Sequence, residues 1–244
     1  MTLERSRHRL LLLLALAAAV GVSSAAALAP RPDSAIEIVL VENWTRQPVD
    51  SRGVPETWRT YETPGGHPAY DFTVVDVEGR RALRMRSTDD HSTVAKKIQI
   101  DLASTPWLEW SWKVVALPEG ADLQRREASD AAAHLFVVWP RWPAMLRSRL
   151  LGYVWDASLP VGRVLTSQKT SAVTFIVVHS GKAQLGQWVT ERRNVREDYR
   201  LAYGEEPENP ALIALSIDTN DTKSSTETFI GQIRFRSGTP AAVE

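Results

Sequence analysis

PWLEWSWKVVALP, residues 106–118, is the stretch whose period decides the fold class. Leu108, Trp110, Trp112 and Val114 fall at every second position, with Glu109, Ser111 and Lys113 between them. Side chains of a strand alternate between two faces, so this period of two predicts a strand with one apolar face. Two tryptophans in the company of a leucine and a valine read as core. A sugar platform would instead need rings exposed to solvent.

The same signal repeats on both sides of this segment. IEIVLVENW (36–44) reads as a first strand, and YDFTVVDVEGRRALRMRS (70–87) as a hairpin turning near Glu78-Gly79. VAKKIQIDL (94–102), AAAHLFVVWP (131–140), GYVWD (152–156) and the β-branched run SAVTFIVVHSG (171–181) read as further strands, with IALSID and ETFIGQIRF closing the set. Residues 45–68 are rich in proline and glycine and read as loop around a short WRTYE strand. A short helix is expected in RWPAMLRSRLL (141–151), and another over Val195–Tyr203 with Gly204 as its stop. About ten to twelve short strands without strand–helix alternation predict an all-β fold. The expected form is a jelly-roll-like antiparallel β-sandwich with one or two short helices. One domain is expected over 28–244, its core at about 36–236.

Composition limits the function. Lysine and arginine number 29, as do aspartate and glutamate, so the chain lacks the basic excess of a nucleic-acid binder. It has no cysteine, which excludes disulfides, thiol chemistry and zinc–thiolate sites. Arg5, Arg7 and Arg9 precede the 13-residue apolar run LLLLLALAAAVGV, and small residues follow it. This is the pattern of a cleaved export signal over 1–27, too short for a stable membrane span. The expected location is the periplasm or the medium, with no membrane span after cleavage.

Several groups of residues could carry chemistry. DTNDT (218–222) places Asp218, Asn220 and Asp221 together; they could donate oxygens to calcium or shape an Asx-type turn. The loop lacks the glycine and terminal glutamate of a helix–loop–helix calcium site, and no other cofactor is implied. Glu191, Arg193 and Asp198 form a charged cluster that reads as an internal ion pair or as a clamp for an anionic ligand. Trp142, between Arg141 and Pro143, and Trp155 are candidate stacking surfaces. Asp130 and His134 are further ligand-binding candidates, and His134 and His179 lie on strand-like runs. No G-x-S-x-G elbow, H-E-x-x-H motif or phosphate loop is present.

In their order, WSWKV, SDAAAHLFVVW, GYVWD, VVHSG, GQWVTERRNVREDYRLAYGEEP and IDTNDT followed by GQIRF resemble a family of exported bacterial proteins. This is domain-of-unknown-function family 3047, and the resemblance spans roughly residues 40–236. It implies a β-sandwich in a periplasmic setting and supplies no reaction. Similar sequences tend to carry paired aspartates where this chain has Ser129-Asp130, arginine at His134 and often aspartate at Gln232. The leading functional expectation is a non-catalytic module that binds carbohydrate or another envelope ligand. The alternatives are a saccharide hydrolase with paired carboxylates, and a structural or partner-binding envelope protein.

Overall fold

The computed structural model describes residues 36–61, 68–143 and 147–238; the expected export segment 1–27 lies outside them. The decisive segment is strand β6 (Trp107–Ala116), and Leu108, Trp110, Trp112 and Val114 all point into the core. In its sheet, sheet A, the order is β11 (Val189–Asn194), β6, β13 (Ser225–Arg236), β4 (Arg80–Thr88) and β3 (Phe72–Val77). Strand β1 (Ile38–Glu42) pairs with the end of β13 that β4 leaves free, with Ile38 opposite Arg236. Sheet B runs β2 (Arg59–Thr60), β5 (His91–Lys97), β12 (Leu212–Asp218), β7 (Ala131–Trp139), β8 (Arg149–Asp156), β10 (Val173–Ser180) and β9 (Val164–Thr166). Every pairing is antiparallel except β8 with β10. The result is the expected jelly-roll-like β-sandwich.

The two sheets meet through aromatic rings. Trp110 of sheet A stacks on Tyr153 of sheet B at 5.2 Å, and Trp112 meets Trp155 at 6.1 Å. Such pairs add about 0.5–1.5 kcal/mol beyond the area they bury, so a core without covalent links gains stability from them. At one margin Glu42 of β1 accepts from the Lys96 ammonium of β5 at 2.7 Å and from the Trp58 indole at 3.0 Å. Burial raises the Glu42 pKa, but these donors and the Trp44 amide outweigh it and hold the carboxyl below its usual range.

Local signals account for the turns. Glu78 and Gly79 both take positive φ, 52° and 74°, as a two-residue hairpin with right-handed strand twist requires. Helix α1 (Val195–Tyr203) starts where Asn194 Oδ1 accepts the Glu197 amide at 3.3 Å. It ends at Gly204, in the left-handed region, whose N–H donates to the Arg200 carbonyl at 2.8 Å. Two expectations are corrected. The strand placed at 94–102 occupies His91–Lys97, because its polar start pairs with β12. The short helix expected within 141–151 ends earlier than that: Arg147 is helical and β8 begins at Arg149, while residues 144–146 lie outside the described residues.

Candidate functional site

The inward side of sheet B carries Leu135, Val137, Tyr153, Trp155, Ile213 and Leu215. Its outward side carries a second apolar cluster that includes Phe136, Val138, Val154, Phe175 and Ala214. Leu123 and Leu159 from two connecting segments and Leu165 of β9 pack with part of this cluster. Beside them a cavity of about 190 Å³ remains, lined by Phe136, Phe175, Leu150 and Val173 and by a row of polar groups. One residue sets the position of its aromatic side. Gly152 of β8 is the register partner of Phe136 on one side and Phe175 on the other. A Cβ at this glycine would lie 2.6 Å from Phe136 Cε1 and 2.9 Å from Phe175 Cδ1. Its hydrogen lets the two rings converge to 6.1 Å, and the His134 imidazole lies 5.3 Å from Phe136 and 5.4 Å from Phe175.

The polar wall comes from β5, β12 and the segment before β10. Thr93 Oγ1 donates to Ser216 Oγ at 2.7 Å, and His91 Nε2 lies 3.2 Å from the same oxygen. Asp218 ends β12 at the margin of the cavity. Burial, together with the charge of Asp130 and its hydrogen bond, pushes the Asp218 pKa up to about 8 against the pull of Lys169. Burial also raises Asp130, but the hydroxyl and amide of Thr222, the amide of Asp221 and the Asp218 carboxyl together hold it below its usual range. The pair therefore holds one proton at neutral pH, and Asp218 carries it. His134 is 4% exposed, and its Nδ1 has no hydrogen-bond partner among the described residues. Burial and the nearby His91 and Lys169 push its pKa down to about 3. Burial and Lys169 also lower His91. At pH 7 the two histidines and Asp218 are uncharged, and the charge of Lys169 on the same lining is paired with Asp221.

The aspartate-rich turn is organised from within the protein. The Asn220 amide donates to Asp218 Oδ1 at 3.4 Å. Asp130 accepts the Asp221 amide at 3.1 Å, the Thr222 amide at 2.7 Å and the Thr222 hydroxyl at 2.6 Å. The cation beside the turn is Lys169, paired with Asp221 and 3.9 Å from Asp218. Among the described residues, no group of three His, Cys, Asp or Glu side chains is placed to hold a metal ion.

His134 and Asp218 thus line this cavity, Asp130 stands beside Asp218 at the turn, and the other candidates lie elsewhere. Trp155 is fully enclosed in the core, its indole donating to the Gly181 carbonyl at 2.9 Å, so it offers no face to a ligand. Arg193 Nε donates to Asp198 Oδ2 at 2.8 Å, and the Tyr153 hydroxyl donates to the same oxygen at 2.9 Å, making this an internal pair. Glu191 accepts the Trp112 indole at 3.3 Å and lies 3.4 Å from His179 Nδ1. Trp142 is 85% exposed, and it is not among the residues lining the cavity. Sequence reasoning missed Gly152, Phe136, Phe175, His91 and Lys169. The one local signal was Gly152 itself, a glycine inside a strand pattern, which marks a close approach.

No curated protein matches the sequence significantly. Among solved structures, the chain is similar to the family 11 carbohydrate-binding module of a cellulosomal cellulase of Clostridium thermocellum. That likeness has 11% identity and a TM-score of 0.44, covering 86% of this chain and 100% of that one. It is also similar to the family 30 carbohydrate-binding module of another Clostridium thermocellum cellulase, with 12% identity and a TM-score of 0.46, covering 84% of this chain and 99% of that one. The sequence model of one family, described as "Protein of unknown function (DUF3047)", matches residues 56–234, and the chain belongs to that family.

Proposed function

We propose that the protein is a non-catalytic binding module of the cell envelope, and that the sheet B cavity takes one uncharged saccharide residue. A single observation carries this reading: Phe136 and Phe175, packed together over Gly152, give the cavity an aromatic side directly facing a row of hydrogen-bonding groups. A pyranose ring has the matching character, with C–H faces for aromatic rings and hydroxyls for Thr93, Ser216, His91 and Asp218. A charged ligand would find no counter-charge on a wall whose carboxyl keeps its proton and whose lysine is already paired. Paired-carboxylate hydrolysis is disfavoured here. Asp130 and Asp218 hydrogen-bond to each other, whereas carboxyls flanking a glycosidic bond stand about 5 Å or more apart.

The test is calorimetric titration of the full chain with neutral mono- and oligosaccharides, repeated on Gly152→Ala and Ser216→Ala. Saturable heat that is lost when the two rings are displaced and weakened when the wall is trimmed supports the reading. Absence of heat across the panel, or unchanged affinity in both folded variants, overturns it.

A further inference from the structure

Next to the sheet B cavity, but sharing none of its lining residues and independent of the saccharide reading, lies a second cavity of about 350 Å³ beside the β7–β8 connection. Its lining includes three arginines, Arg141, Arg147 and Arg149, and one carboxylate, Glu205. Ser148 sets the geometry: its buried hydroxyl accepts the Arg141 amide at 3.2 Å and reaches the Arg141 carbonyl at 3.4 Å, which folds the connection back on itself. Arg141 is committed, donating to Glu205 Oε1 at 3.2 Å and to the Tyr199 hydroxyl at 3.1 Å. Glu205 Oε1 also accepts the Tyr199 hydroxyl at 2.8 Å. These contacts fix Glu205 in place, and the hydrogen bonds from Tyr199 and Arg141 hold its pKa below the usual range.

The remaining two guanidiniums are less engaged. Arg149 lies over the Tyr203 ring at 4.5 Å and 3.8 Å from Glu205 Oε1. Arg147 is exposed, and among the described residues its guanidinium reaches only the Trp142 carbonyl, at 3.5 Å. Around this cavity three positive charges face the single negative charge of Glu205, so the walls keep a positive excess after the Arg141–Glu205 pair is formed. Planar guanidiniums lining a polar hollow match a tetrahedral oxyanion, which accepts several N–H groups at once.

We propose that this cavity is a phosphoryl-binding site, with Arg147 and Arg149 as the principal donors and Arg141–Glu205 as the fixed wall that positions them. The ligand is recognised by its phosphoryl group, whether free, on a small ester or in a lipid headgroup. The test is NMR titration of the full chain, following arginine Nε–Hε signals at constant ionic strength. The probes are inorganic phosphate, glycerol 1-phosphate and monomeric dihexanoylphosphatidylglycerol. Saturable shifts are expected, with affinity reduced at least about tenfold in Arg147→Gln/Arg149→Gln. Arg86→Gln, at an exposed pair with Asp71 on sheet A, is expected to bind like the parent. Response to the first two probes assigns a free or monoester phosphate, and response to the diester alone assigns a headgroup. No shift with any probe, or equal affinity in the double variant, overturns the proposal. Loss of saccharide binding in Gly152→Ala leaves these shifts unchanged if the two sites are separate.

Discussion

Asp130 and Asp218, 88 positions apart in sequence, share a hydrogen bond in which Asp218 keeps its proton near neutrality while Asp130 stays ionised. The arrangement divides the work of two buried carboxyls. Asp130 gathers the amides of the turn that follows β12, and Asp218 presents a neutral carboxyl at the cavity margin. Two charges at this separation in a poorly solvated place would repel strongly, and retention of one proton removes that cost.

The shared proton makes stability depend on pH in a definite direction. Folded Asp218 holds its proton up to about 8, whereas an unperturbed aspartate releases it near 3.8. Between these values the unfolded chain binds fewer protons, so this group's contribution falls as pH rises and is flat above the window. Asp218→Asn keeps the neutral form at every pH. Its advantage over the parent in chemical denaturation should therefore grow by at least about 1 kcal/mol between pH 5 and pH 8. An unchanged difference would mean that Asp218 is ionised in the fold.

Gly152→Ala tests the aromatic side of the cavity. The new methyl meets two rings packed on neighbouring strands, and neither ring is the free end of a flexible side chain. Overpacking of this kind costs about 1–3 kcal/mol. Urea denaturation should show that loss with an unchanged slope, and saccharide binding should vanish in the folded variant.

Arg193→Met tests the internal ion pair. Asp198 is buried and loses its bidentate partner, keeping only the Tyr153 hydroxyl. Arg193 is partly exposed, so the cost is set below that of a fully buried pair, at about 2 kcal/mol. Adding Asp198→Asn should recover part of it, a coupling that a double-mutant cycle measures.

The turn at 218–222 already has a cation. With Lys169 beside Asp218 and Asp221, calcium would have to displace an ammonium held at the same oxygens. Calcium and a chelator should both leave the melting temperature of the parent unchanged. An increase with millimolar calcium would show that the ion competes successfully.

Much of the sandwich was legible because its signals are local. The alternation through Trp110 and Trp112, the turn at Glu78-Gly79 and the caps at Asn194 and Gly204 each depend on residues close in sequence. The candidate site was only half legible. Asp130, His134 and Asp218 stood out as polar residues in or beside apolar runs. Their neighbours did not, because His91 enters from β5 and Lys169 from a loop, and only strand order brings them to one face. The parallel pairing of β8 with β10 was hidden for the same reason, since it depends on a crossover through β9 and not on composition. Trp155 misled because an indole reads alike in a core and on a platform.

The partnership of Ile38 with Arg236 sets a schedule for assembly. The first strand of the domain finds its place only against the last, and that last strand also lies between β4 and β6. A nascent or translocating polypeptide therefore cannot close sheet A until its final dozen strand residues have emerged. Such long-range closure is slow and leaves unpaired edges waiting. Truncation before Ser225 should yield a chain that never matures, rather than a smaller version of the same domain.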